Sequence, residues 1–198
     1  MKTIKVKFEG TTALMLNNPR TVNPMDYYSK ALKEYTSKRT KTDDDMQEIY
    51  RLKFLASCYL NNKGQYIIPS NMIIRSICEA AKELKLGKKF ERSCMVYEDA
   101  LLNFANNGNT PEELYENFGE TYVDIRAVGI MKSKVITARM IVPEWSLETE
   151  ISFDENVLND SEVFNVLNIA GLRYGIGTYR QRYGKFSVTE VKDNKKKK

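Results

Sequence analysis

Residues 171–186 read Gly-Leu-Arg-Tyr-Gly-Ile-Gly-Thr-Tyr-Arg-Gln-Arg-Tyr-Gly-Lys-Phe. Four basic side chains, Arg173, Arg180, Arg182 and Lys185, are interleaved with Tyr174, Tyr179 and Tyr183, and no acid falls within 171–187. Guanidinium groups fork onto phosphate oxygens, and tyrosine rings stack on unpaired bases. Gly171, Gly175, Gly177 and Gly184 permit positive φ and a close backbone approach to a ligand. That combination suits a site for single-stranded nucleic acid. The competing reading is a flexible loop whose tyrosines pack on a sheet and whose arginines are solvated. A dinucleotide or P-loop site fits poorly. The spacing is not GxGxxG, no GxxxxGK[ST] occurs, and the glycines follow a helix and precede a strand, the reverse of those motifs.

Other candidates lie apart from this stretch. Arg20, in Asn17-Asn18-Pro19-Arg20, follows the first strand and could reach a backbone phosphate, or could stand in a simple turn. Lys132 and Lys134 sit at a turn between two strands and would extend a basic groove, or be a solvated hairpin tip. Arg126 and Arg139 lie within strands, where they either contact RNA or pair with Glu148 and Glu150. The chain has no histidine, so Ser-His-Asp and Cys-His triads, histidine bases and histidine metal sites are excluded. Cys58, Cys78 and Cys94 form no CxxC and make a poor disulfide framework, which points to a reducing compartment. No catalytic residue, metal site or cofactor is expected. The N-terminus has no apolar core of signal-peptide length, no apolar run approaches the roughly 20 residues of a membrane span, and a cytoplasmic location is expected.

The elements that must position the loop can be sketched from periodicity. Residues 2–9 alternate, with Ile4, Val6 and Phe8 on one face, as a half-buried strand does. Polar helices are expected over about 26–40 and 44–60, the second capped by the Asp43–Asp45 run. A short strand at 65–68 precedes a helix from Ser70 to about Leu86, ended by Gly87. Residues 88–120 are hard to read. Strands follow at 121–130, 134–142 and 145–153, then a helix from Ser161 to about Leu172 and a last strand at about 185–191. The order fits an α+β sandwich of the ferredoxin or RNA-recognition type, occupying 1–194, with a helical insertion at roughly 17–62 and a basic disordered tail at 195–198.

The net charge is +5, but without Lys195–Lys198 the balance is 27 bases against 26 acids, so pI says little about nucleic acid. Distribution says more. Residues 2–41 carry nine bases against three acids, while 148–162 carry six acids and no base. The acidic stretch is either a solvated face or a surface that docks on the basic face of a neighbouring copy.

Gly175-Ile-Gly-Thr-Tyr-Arg180 and Tyr183-Gly-Lys-Phe-Ser-Val188 resemble the G-x-G-x-x-R…G-[KR]-F glycine-rich loop of the repeat-associated mysterious protein (RAMP) superfamily. Val6-Lys-Phe-Glu-Gly-Thr-Thr-Ala-Leu-Met15 is similar to the first strand and following turn of that group. More narrowly, the chain resembles the backbone subunit of CRISPR effector complexes and its stand-alone phage-borne relatives. The resemblance implies the RNA-recognition-like fold, single-stranded RNA or DNA as ligand, and head-to-tail assembly of copies along the strand. Some superfamily members cleave RNA with an aspartate in the loop after the first strand; Asp26 and Asp43–Asp45 lie in the corresponding insertion but in no motif that aligns. The expectation is a binding protein rather than an enzyme. A metal-dependent ribonuclease, or a decoy that joins another CRISPR effector complex, are the alternatives.

Overall fold

The computed structural model describes residues 1–130 and 133–191. Lys132 and the lysine tail at 195–198 lie outside the described residues. The first half runs β1 (Lys2–Gly10), β2 (Leu14–Met15), a 3-10 turn at Pro19–Val22, α1 (Tyr27–Thr36), α2 (Asp43–Ser57), β3 (Ile67–Ile68), α3 (Ser70–Glu83) and α4 (Gly87–Ser93). The second half runs β4 (Cys94–Met95), β5 (Ala100–Asn103), α5 (Pro111–Tyr122), β6 (Val123–Ile130), β7 (Ser133–Val142), β8 (Ser146–Phe153), α6 (Asp160–Ile169), a π-type turn at Ala170–Tyr174 and β9 (Phe186–Glu190). The chain is thus mixed α and β with antiparallel sheets.

The larger sheet has the order β3-β5-β8-β1-β9, with β4 also pairing β8. Every pairing in it is antiparallel. The alternation seen in the sequence decides its two faces. Ile4, Val6 and Phe8 of β1 and Leu147, Thr149, Ile151 and Phe153 of β8 are buried. They join Ile73, Ile77, Ala80 and Ala81 of α3 and Val163, Val166 and Leu167 of α6 in one core. Phe8 and Phe186 stack at 4.2 Å between paired strands, which fixes β9, and with it the end of the glycine-rich segment, against β1. The opposite face is polar. Lys5 pairs with Glu148 there at 2.7 Å, and Lys7 with Glu9 at 3.2 Å. Among the described residues no helix is long and apolar enough to cross a membrane.

Four features differ from the periodicity reading. First, α3 is preceded by Pro69 rather than capped by Ser70, and the Ser70 N–H is taken at 2.8 Å by the Asp99 carboxylate, a partner 29 residues away. Second, Gly87 opens α4; the chain leaves α3 at Lys85, which adopts φ 59°. Third, β5 occupies the unread stretch, with Ala100 and Leu102 buried and Leu101 and Asn103 exposed. Fourth, β6 and β7 do not extend the main sheet but pair with β2 in a second sheet of order β2-β7-β6. The expected insertion holds α1 and α2. Thr42 and Asp45 form a capping box at the start of α2, and α2 lies on β7, where the Met140 N–H donates to Ser57 Oγ at 2.8 Å.

Candidate nucleic-acid interface

The glycine-rich segment leaves α6 through the π-type turn, which the Gly175 N–H closes on the Ala170 carbonyl at 2.7 Å. It is then stapled to the turn that follows β1. Thr178 N–H donates to Met15 O, Gly184 N–H to Ala13 O and Thr11 N–H to Lys185 O, each at 2.8 Å, while Ile176 N–H donates to Gly184 O at 2.9 Å. Gly175, Gly177 and Gly184 all take positive φ. A Cβ on Gly184 would stand 1.8 Å from Ile176 O, and one on Gly177 would stand 2.5 Å from Met15 O. These glycines therefore serve close approach of the chain to itself. The loop is thus tied along its length to the chain that follows β1.

Its side chains fall into three groups. Arg173 bonds Glu83 of α3, and the Tyr174 hydroxyl donates to the same carboxylate at 2.9 Å. Arg180 pairs with Glu79 at 2.9 Å, and Arg75 reaches the same carboxylate at 3.1 Å. Burial pushes the Glu79 carboxyl up, but the bonds from Arg180 and Arg75 outweigh it and hold it below its usual range. The absence of acids within 171–187 is thus offset by α3, which neutralises two of the loop's cations. Lys185 donates its ammonium to the Arg173 carbonyl. Arg182 is exposed and has no ion pair among the described residues. Tyr179 is 51% exposed, and its ring lies 6.0 Å from that of Tyr183. A cleft of about 340 Å³ runs beside these groups, lined by Glu79, Arg173, Tyr174 and residues 177–181.

The second sheet reaches the loop through Met15 of β2, which takes the Thr178 N–H, and through a side chain of β6. Arg126 of β6 donates to the Tyr183 hydroxyl at 3.0 Å, and its guanidinium lies 5.3 Å from the centre of that ring. Asp124 Oδ1 accepts from Nε of the same guanidinium and from the Nη2 that also reaches Tyr183. Neither Arg126 nor Arg139 pairs with Glu148 or Glu150, so one of the two options open in the sequence is removed.

The structure therefore brings together Arg173, Tyr174, Tyr179, Arg180, Arg182, Tyr183 and Lys185. It does not bring Arg20 or Lys134 to them. Arg20 pairs with Asp26 at 3.0 Å and lies over the Tyr28 ring at 4.7 Å, inside the insertion. Lys134 is exposed opposite Gly129 near the β6–β7 turn. Sequence reasoning missed Glu79 and Glu83. Their spacing of four puts them on one face of α3, but nothing in the sequence says that the loop folds over that face. Two of the aspartates considered for catalysis hold structure. Asp26 caps α1 and takes Arg20, and Asp45 caps α2 and takes Lys38 at 2.6 Å. No three acidic or cysteine side chains converge among the described residues.

No protein-family model matches the chain, and no curated protein does. Among solved structures it is similar to a chain in the cryo-EM structure of the type III-B Cmr-beta bound to cognate target RNA. The TM-score is 0.53 at 16% identity, over 96% of this chain and 61% of that one. It is also matched to the crystal structure of Cmr6 from Pyrococcus furiosus, with a TM-score of 0.44 at 12% identity, over 96% and 98% of the two chains. The chain thus spans less than two thirds of the Cmr-beta chain it resembles. At this identity the likeness concerns fold alone: the mixed α and β architecture is similar to that of the matched chain in the Cmr-beta structure.

Proposed function

We propose that this chain is a noncatalytic protein that binds single-stranded nucleic acid through the glycine-rich loop, in the setting of a CRISPR effector complex. The observation that carries the reading is the loop itself. It is tied down by its own backbone bonds, yet among the described residues it presents Arg182 without a counter-ion and Tyr179 half in solvent. A ligand that used them would order nothing, and a preorganised site loses less on binding. The antiparallel order β9-β1-β8-β5, with α3 and α6 in the two crossovers, supports an RNA-recognition-type domain over 1–194 with 17–62 inserted. The open face of that sheet carries paired charges, so the strand is assigned to the loop and not to the sheet. The Cmr-beta structure, described as bound to target RNA, supports RNA as the ligand. A cytoplasmic protein with other effector subunits and copies of itself as partners follows from the same reading.

The test is binding to single-stranded RNA and DNA over a range of salt. Arg180→Ala with Arg182→Ala should weaken affinity and flatten log K against log salt by about 0.7 per lost phosphate contact, with the melting temperature little changed. Parent-like affinity and slope in the double variant would remove the loop as the site.

A further inference from the structure

The pairing of β6 with β7 sets Asp124 opposite Arg139, with Arg126 two residues along on the same face. Arg139 is 8% exposed, and its hydrogen bond is to Met15 Sδ at 3.7 Å. A thioether is a weak acceptor for a group with five N–H donors. Asp124 offers its Oδ1 to Arg126, while its Oδ2 is buried and has no partner. Two guanidiniums therefore face one carboxylate, and among the described residues the more deeply buried guanidinium has no oxygen acceptor. Burying a cation in that state is unfavourable unless something supplies oxygens. Burial accordingly pulls the Arg139 guanidinium below its ordinary value, nearby Asp124 opposes this and Arg126 adds to it. The cluster also touches both limbs of the glycine loop. The Met15 carbonyl receives the Thr178 N–H, and Arg126 holds the Tyr183 hydroxyl.

We infer that Arg139, seconded by Arg126, is a phosphate-binding position behind the glycine loop, taking a phosphodiester of the strand that the loop holds. The charge selects the ligand. The excess of one positive charge matches the single negative charge of a diester, and the carboxylate of Asp124 disfavours a doubly charged terminal phosphate. Asp124 fixes Arg126 and is a positioning residue.

The inference rests on the nucleic-acid reading, and its test separates the two. The parent, Arg139→Met and the loop variant Arg182→Ala are compared on a single strand of about twelve nucleotides, within the site size of such folds, across salt, with the melting temperature of each. Arg139→Met should bind about tenfold more weakly at low salt, as expected for losing a charged hydrogen-bonded contact. Its salt slope should be shallower by about 0.7, and its melting temperature should be equal or higher because an unmatched buried charge is gone. Parent-like binding by Arg139→Met while Arg182→Ala binds weakly overturns the Arg139 site and leaves the loop. A lowered melting temperature with normal affinity and slope makes Arg139 a structural residue and overturns the site too. Failure of the parent to bind any single strand at low salt overturns both. Should Arg139→Met fail to fold, Arg139→Lys replaces it. That variant keeps the charge and loses the fork, so the slope should hold while affinity falls severalfold; unchanged affinity counts against the site.

Discussion

Tyr179 is held at φ 55°, a left-handed backbone that costs a side-chain-bearing residue about 1–2 kcal/mol, and its ring is half in solvent. Its carbonyl takes the Arg182 and Tyr183 N–H groups, so its part in the fold is made by the backbone and not by the half-exposed ring. Tyr179→Gly is expected to leave the melting temperature unchanged or raise it, because glycine accepts that φ. Single-strand affinity should fall by roughly 1–3 kcal/mol through the lost stack. A drop in melting temperature with normal affinity per folded molecule would make the ring part of the core. Gly184 is the converse case. Its Cβ would collide with Ile176 O at 1.8 Å, so Gly184→Ala should destabilise the protein by roughly 3 kcal/mol or more, read by denaturant titration. The sequence displayed both residue types plainly. What it could not display is which backbone each glycine approaches: Gly175 and Gly184 meet backbone within the loop itself, while Gly177 meets Met15 near the other end of the chain.

The relation between α3 and the loop sets how much charge the site offers. Glu83 bonds both Arg173 and Tyr174, and a nucleic-acid phosphate would have to compete with it. Glu83→Gln should therefore tighten single-strand binding at low salt by a few-fold, with the gain vanishing as salt screens the site. Unchanged affinity would mean that Arg173 never leaves α3. Glu79 carries a pH signature. Its carboxyl is depressed from 4.5, so the stability it lends is present above that value and is lost as pH falls through the folded value. Both partners of the Arg180 pair keep about a quarter of their side chain exposed, which limits the effect to about 1 kcal/mol or less. The gap in melting temperature between parent and Glu79→Gln should close on going from pH 6 to about pH 3. The apolar stripe of α3 was legible because Ile73, Ile74, Ile77, Cys78, Ala81 and Leu84 recur at helical spacing; Ile73, Ile77 and Ala81 are buried and the other three half-buried. β5 was not, since four residues with two exposed give no period to read.

At the scale of the molecule, β1 and β8 of the main sheet could be read from their alternation, and β6 and β7 as strands, while their separation into a second sheet with β2 could not. The third strand of that sheet, β2, is two residues long, and a dipeptide carries no periodicity. Charge, by contrast, is legible as segments and becomes surfaces only in the fold. The open face of the main sheet collects Glu98, Asp99, Glu148 and Glu150 around the exposed Tyr97 and Leu101, with Lys5 among them. The glycine loop and its cleft form a separate basic surface, and the two clefts share no residue. Unlike surfaces on one chain join copies heterologously, and such a contact propagates instead of closing. Copies are therefore expected to line up on a single strand, each loop surface near the acidic sheet face of its neighbour. Light scattering should find complexes whose mass grows with strand length at low salt and falls away as salt rises, because exposed charge pairs are screened within about 10 Å at 0.1 M. Glu148→Lys with Glu150→Lys should abolish that growth and leave the affinity of one copy for a short strand intact. A strict monomer on a long strand at low salt would remove head-to-tail assembly and leave a solitary binding domain. Metal-dependent cleavage of the strand, lost in Asp26→Asn, would instead place the chain among the ribonucleases, even though that carboxylate caps α1 and holds Arg20 in this structure.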